Sequence, residues 1–252
     1  MTLYDSAILG VVEGITEYLP VSSTAHLVLT SQLLDLEQNE FMTSFQIIIQ
    51  IAPIFSVMLL FWSRLIASFD LWIKLGIAFV PTGFVGLFFH EQIEALFTSD
   101  LTILFMFLTG IAFLIFEFFI KEERFKFHRE EQISFFGALG VGIFQVFALI
   151  PGVSRSGSTI LGAMIFGFSR ELAMRFSFLL AIPTMGIASA YTFFKSESVV
   201  LNNLELLGVG FIVSFLFGII AIKGFLHVVS NYKFIPFGIY LIVSAGIFYF
   251  FL

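Results

Sequence analysis

The sequence predicts an all-α integral membrane protein with six transmembrane helices plus two re-entrant helix–loop–helix pairs, arranged as an inverted-topology repeat. Three observations lead there. Of the 252 residues, 59% are hydrophobic and only 12% are charged, outside the balance of a soluble domain. A mean hydropathy of +1.03 and 37 Phe give more apolar surface than one core of this size can hide, so lipid is part of the solvent. Two apolar stretches are also interrupted by polar clusters, around Pro20 and Pro151, and neither fits a simple crossing. The same composition excludes other classes. A net charge of −6 with no basic stripe argues against nucleic acid, and the absence of Cys removes disulfides and thiolate chemistry.

Read in order, the start lacks a basic n-region and carries Glu13 where a signal peptide stays apolar, so it reads as mature sequence. Residues 3–33 form the first interrupted region. Apolar stretches of the length needed to cross, about 17–25 residues, follow at 41–61, 73–89 and 101–120. A charged linker at 121–132 precedes the second interrupted region, 133–168, and three more spans at 176–194, 204–222 and 234–252.

Counting Lys and Arg in short loops assigns sides. Arg64 and Lys74 put the loop after the first span in the cytoplasm; Glu91, Glu94 and Asp100, with no basic residue, put the next one outside. Lys121, Arg124, Lys126 and Arg129 read as cytoplasmic, as do Lys223 and Lys233, while Asp35, Glu37 and Glu40 fall outside. The first interrupted region therefore dips from outside, and the second, between Arg129 and Arg170, dips from the cytoplasm.

Two segments repeat at an offset of 131 residues: Phe45-Gln-Ile-Ile-Ile-Gln-Ile-Ala-Pro53 echoes Phe176-Ser-Phe-Leu-Leu-Ala-Ile-Pro183, and Tyr18-Leu-Pro20-Val-Ser-Ser echoes Leu149-Ile-Pro151-Gly-Val-Ser. A duplication follows, within a single membrane domain spanning 1–252, with repeat one at about 1–120 and repeat two at about 133–252. Three crossings per unit invert the second copy, as in transporters whose broken helices meet near the midplane. Non-helical backbone at membrane depth must line a cavity or be buried in protein, so the two breaks should converge.

The first break carries Glu13, Glu17, Ser22, Ser23, Thr24 and His26. Glu13 and Glu17 are four apart, on one helix face about 5 to 6 Å apart at Cβ. Two carboxylates that close in an apolar setting need a shared proton or a cation, and an oxygen-rich site suits Mg²⁺ or Ca²⁺. Ser23 and His26 are three apart, and a hydroxyl beside an imidazole is the minimal activated nucleophile. Ser22, Ser23 and Thr24 equally suit helix caps, whereas intramembrane Glu and His are costly and functional by default.

The second break sets Gly152, Ser154, Ser156, Gly157, Ser158 and Thr159 around Arg155. A planar cation beside a helix N-terminus is what phosphate oxygens require; the alternative is an Arg that snorkels while small residues pack. Gln46, Gln50 and Gln145 are weaker candidates, each able simply to bond a neighbouring helix. The linker Lys121–Glu131 reads as a solvated mixed-charge face, His90 and His227 lie near span ends, and the Phe residues read as lipid-facing filler.

At Gly10-Val-Val-Glu13-Gly-Ile-Thr-Glu17-Tyr-Leu-Pro-Val-Ser-Ser-Thr-Ala-His26 and Pro151-Gly-Val-Ser-Arg-Ser-Gly157, with Phe176 to Pro183 in support, the sequence resembles the undecaprenyl-diphosphatase family of bacterial inner-membrane phosphatases, also called the bacitracin-resistance family. The likeness covers essentially the whole chain; Ala25 departs from the Gly usual before the His. The resemblance implies removal of one phosphate from C55 undecaprenyl diphosphate, a divalent-cation requirement, and a site open to the periplasmic or external face. It maps the acidic motif onto Glu13 and Glu17, the Ser and His onto Ser23 and His26, and the phosphate-binding Arg onto Arg155. Expected partners are the polyprenyl diphosphate and membrane lipid, with a homodimer left open. Combining both readings, Arg155 and the N–H groups near Ser156 hold the diphosphate, Ser23 attacks, and His26 or Glu17 handles the proton. Attack by metal-activated water is the competing route. The prenyl tail should lie in an apolar groove whose residues the sequence does not name. The other reading is a transporter or flippase for a phosphorylated polyprenyl lipid.

Overall fold

A computed structural model describes residues 1–96 and 98–251, and these are mostly helical, with no strand among the described residues. The helices are α1 (Leu3–Thr16), α2 (Ser23–Leu33), α3 (Glu40–Ile49), α4 (Ile51–Leu60), α5 (Trp62–Ala67), α6 (Phe69–Phe88), α7 (His90–Glu94), α8 (Ser99–Phe119), α9 (Phe135–Val146), α10 (Arg155–Ile165), α11 (Arg170–Lys195), α12 (Glu197–Leu201), α13 (Leu204–Tyr232) and α14 (Ile235–Phe251). Their starts follow the chemistry of the preceding residue. Thr2 caps α1 through a box with Asp5, and Asn39, Ser68, Thr98, Ser134, Ser154 and Ser169 each accept from a backbone N–H three residues on.

Among the described residues, five helical stretches are long and apolar enough to cross a membrane: Glu40–Leu60, Phe69–Phe88, Ser99–Phe119, Arg170–Lys195 and Leu204–Val229. The first is broken at Gln50 between α3 and α4, because Pro53 has no N–H for the carbonyl four residues back. The sixth expected span, 234–252, corresponds to α14. At 17 residues it covers about 26 Å, just under a hydrocarbon core of about 30 Å; residue 252 lies outside the described residues. Helices α1, α2, α9 and α10 have 14, 11, 12 and 11 residues, about 16–21 Å each, too short to cross.

The short helices form two hairpins, α1–α2 and α9–α10, each held by a long helix from the other half of the chain. α1 lies along α13 and α9 along α6, while α8 packs on α14. Small residues permit the approach: a Cβ on Gly14 would stand 2.5 Å from Ser214 O, and one on Gly142 would stand 2.2 Å from Ala78 O. Gln145 ties three helices by donating to Thr82 Oγ1 at 3.1 Å and accepting from Thr184 Oγ1 at 3.2 Å. The buried apolar core surrounds α11, whose Phe176, Phe178, Leu179 and Leu180 are fully buried.

The charged residues described in the linker are exposed, as expected of a solvated face, except Glu130. Phe127 pairs with Phe168 through backbone bonds from Phe127 N to Gly167 O and from Ser169 N to Phe127 O. Glu130 is buried and accepts from Arg64 at 2.6 Å, with Arg175 Nε 3.8 Å away. Nearby, Arg170 on α11 grips Glu117 of α8 in a bidentate pair, and Glu117 also accepts from Phe234 N at 3.1 Å. A mixed-charge run predicts solvent only where its charges lack partners, and Arg64 of α5 and Arg175 of α11 supply them for Glu130.

Candidate active site

The tips of the two hairpins meet. In the first, α1 ends at Thr16 and Glu17 keeps helical geometry, its N–H donating to Glu13 O at 3.0 Å, so the two carboxyls share one face. The chain then turns through Tyr18–Val21 and restarts at Ser23 from Ser22, whose φ of 64° lies in the left-handed region. A non-glycine residue there stores about 1–3 kcal/mol and persists only where its surroundings hold it. Unlike the other cap residues above, Ser22 makes no side-chain cap bond.

In the second hairpin, the turn 150–154 uses Gly152 at φ 87°, pressed so close to α8 that a Cβ would stand 2.1 Å from Thr102 O. Ser154 then caps α10 by accepting from Gly157 N at 3.2 Å. Arg155, the first helical residue, crosses to the other hairpin.

Three contacts join the tips, through Glu17, Tyr18 and Leu19, and others fix their side chains. Arg155 Nη2 donates to Glu17 Oε1 at 2.6 Å and lies 3.2 Å from Met185 Sδ; Nη1 donates to Ser177 O at 3.1 Å. The guanidinium carbon also stands 5.5 Å from the Tyr18 ring centroid. Ser23 Oγ donates to the other oxygen, Glu17 Oε2, at 2.7 Å. Ser156 Oγ donates to Leu19 O at 3.0 Å. One carboxylate thus receives a hydroxyl from its own hairpin and a cation from the opposite one. Beside them lies a cavity of about 170 Å³ walled by Glu17, Ser22, Ser23, Thr24, Gln50, Ser154 and Arg155. Arg155 Nε is buried without a partner, a donor left for a ligand.

Other expected residues lie apart from that cavity. Gln46 donates to Ser31 Oγ at 2.9 Å and so ties α3 to α2. Ser156 turns to Leu19 O and Ser154 Oγ, and Thr159 bonds Ser177 Oγ at 2.6 Å; both are buried in packing behind Arg155. Glu13 is fully buried one turn behind Glu17; no N–H or hydroxyl donates to either of its oxygens, and the Glu17 carboxyl is its polar neighbour.

His26 corrects the expectation of a Ser23–His26 pair. Its Nδ1 lies 2.9 Å from Ser22 O, an acceptor only, so Nδ1 carries the proton; Nε2 lies 2.7 Å from Tyr240 Oη and accepts from it. The ring also stacks on Tyr240, with centroids 5.6 Å apart. Both nitrogens are engaged, and Ser23 faces Glu17 instead. Tyr240 and Met185 are site neighbours that the sequence reading missed. Both sit in spans read as lipid-facing or repeat-forming, and no local pattern marks them.

The fit for a divalent cation rests on Glu13. A buried carboxyl without a donor is costly unless something supplies the missing charge or proton. Among the described residues no group of three or more His, Cys, Asp or Glu could hold a metal, which leaves the pair Glu13 and Glu17. That is the Mg²⁺ mode of binding, one or two carboxylates completed by water and substrate phosphate; Ca²⁺ asks for six to eight oxygens.

Comparison with known proteins identifies a family. A family model described as bacitracin resistance protein BacA matches residues 6–247. A Wolinella succinogenes protein named undecaprenyl-diphosphatase is 47% identical over 253 residues, covering 100% of this chain and 99% of its own length. Proteins of the same name from Campylobacter jejuni and Persephonella marina are each 43% identical, covering 96% and 98% of this chain and 92% and 98% of their own lengths.

Proposed function

The chain belongs to the BacA bacitracin-resistance family, and from that membership and the tip geometry we propose that it removes the terminal phosphate of undecaprenyl diphosphate. The product, undecaprenyl phosphate, is the lipid carrier of cell-wall synthesis, and its recycling confers bacitracin resistance. The observation that carries this reading is Glu17 held between Ser23 at 2.7 Å and Arg155 at 2.6 Å.

Phosphoryl transfer asks for positioning and charge stabilisation more than for covalent chemistry by the protein. Arg155 binds the diphosphate, offering its unpartnered Nε and, as the substrate displaces Glu17, the Nη2 that now pairs with it. Ser23 Oγ attacks the terminal phosphorus and passes its proton to Glu17 Oε2, already its acceptor. The new Ser–O–P bond forms as the P–O bond to undecaprenyl phosphate breaks, and water then cleaves the phosphoserine to free phosphate. Ser22, Thr24 and Gln50, on the cavity wall, supply hydrogen bonds to the remaining oxygens. His26 acts by holding the left-handed Ser22 carbonyl, which aims Ser23 at Glu17. When bound at Glu13 and Glu17, a divalent cation, Mg²⁺ by preference, supplies neutralisation of the phosphate charge.

The exchange of helices between halves, α1 with α13 and α9 with α6, supports an inverted repeat of six spans and two re-entrant pairs. With the loop charges of the sequence, it supports a multi-pass inner-membrane protein whose site opens externally. Phosphate release from undecaprenyl diphosphate by the purified protein, with and without EDTA and beside Glu17→Ala, tests the reading. Release that needs both the cation and Glu17 is expected; a folded protein that binds the lipid and releases no phosphate would return the transporter reading.

A further inference from the structure

A second cavity, about 660 Å³ and almost entirely apolar, runs between α8 and the α9–α10 hairpin. On α8 it extends from Phe105 to Ile120, about 22 Å of helix. Arg124 is the one charged residue in its lining. Its position relative to the polar cavity is the informative feature. Val153 lines both, and the loop that carries it partitions them: Ala148 and Ser154 face the polar cavity, while Phe147 and Ile150 face the groove. Gly157 and Ser158, two and three residues after Arg155 on α10, also line the groove. The corresponding gap on the first hairpin, between α2 and α14, is filled instead by His26 against Tyr240 and Phe248.

Resting on the phosphatase reading, we propose that this groove holds the isoprenoid chain of the substrate nearest its diphosphate, with Val153 as the threshold between the two cavities. A chain whose diphosphate is bound at Arg155 must leave the polar cavity through an apolar wall, and the loop around Val153 is a wall it shares with the groove. An isoprenoid needs no polar partners along its length, and from Phe105 to Ile120 the groove offers almost none. Residues far along the groove from Val153, such as Ile115 and Ile165, therefore read chain length without touching the reacting phosphates.

The test compares kcat/KM for undecaprenyl diphosphate and for farnesyl diphosphate, which has three isoprene units, in the wild type and in Ile115→Trp and Ile165→Trp. Both positions are more than half exposed, so the added rings fill the groove without disturbing the core. The expected result is a preference for the long chain reduced roughly tenfold, with farnesyl diphosphate turnover unchanged. No change in preference, or equal loss on both substrates, overturns the assignment. Photo-crosslinking the wild type with a polyprenyl phosphate tagged along its chain reads the same point without turnover. Labels on residues 105–120 and 155–165 are expected; labels elsewhere, or labels displaced by phospholipid through Arg124, overturn it. If the wild type releases phosphate from neither substrate, the phosphatase reading falls, while the crosslink still reports where the chain lies.

Discussion

The two hairpins are built alike and loaded differently. Each is a pair of short helices held by a long helix of the other half, and each breaks near a proline. The first brings two carboxylates, a hydroxyl and an imidazole, and restarts through Ser22, a left-handed residue with no side-chain cap. The second brings one cation, and restarts through Gly152, which suits its positive φ, and Ser154, which caps α10. On the proposed mechanism, strain sits on the hairpin that supplies the nucleophile, and the hairpin that supplies the anion-binding cation is locally relaxed. The two hairpins share an architecture and, on the proposed mechanism, divide the chemistry between them.

Substitutions can break that division, beginning with the largest effect. Glu17→Gln keeps an acceptor oxygen but removes the base for the Ser23 proton and the charge paired with Arg155, so kcat for phosphate release should fall by about 10³. Arg155→Lys keeps the charge and loses the planar fork, and kcat/KM should fall by about 10². The turns themselves should respond in opposite ways. Gly152→Ala forces a Cβ into Thr102 O at a positive φ and should cost about 2–4 kcal/mol in denaturant unfolding. Ser22→Gly relieves φ strain while loosening the chain, and should change stability by less than about 1 kcal/mol. Tyr240→Phe leaves His26 Nε2 without its donor but keeps the Nδ1 bond to Ser22 O, so turnover should fall by less than about tenfold. Gln46→Leu loses one bond between helices and should leave kcat within about twofold. A large loss there would mean the site extends beyond the tips.

Much of this was legible in the sequence because lipid makes intramembrane polarity expensive. Glu17, Ser23 and Arg155 stand out against an apolar background, and the two breaks announce themselves through Pro20 and Pro151. Spacing rules failed where the helix did. Ser23 and His26 share a face by count, yet Ser23 is the first residue of α2, reached through a left-handed Ser22, and its hydroxyl points back to α1. Gln46 and Gln50 are four apart, but the break between α3 and α4 ahead of Pro53 leaves one on Ser31 and the other on the cavity wall. Tyr240 was invisible because a tyrosine in an apolar span looks the same whether it meets lipid or a histidine. Glu130 was misread because a charge run shows its own signs and not those of Arg64 and Arg175.

The central claim is that Ser23, with Glu17 as its proton acceptor, takes the phosphate that Arg155 holds. The direct measurement is a rapid acid quench of the purified protein with undecaprenyl diphosphate labelled in its terminal phosphate, followed by peptide mapping. The account predicts label on the peptide containing Ser23, more of it in a variant slowed at the second step, and none in Ser23→Ala, which should also lose turnover by about 10³ or more. A Ser23→Ala protein that releases phosphate at nearly the wild-type rate would contradict it and leave direct attack by water as the route.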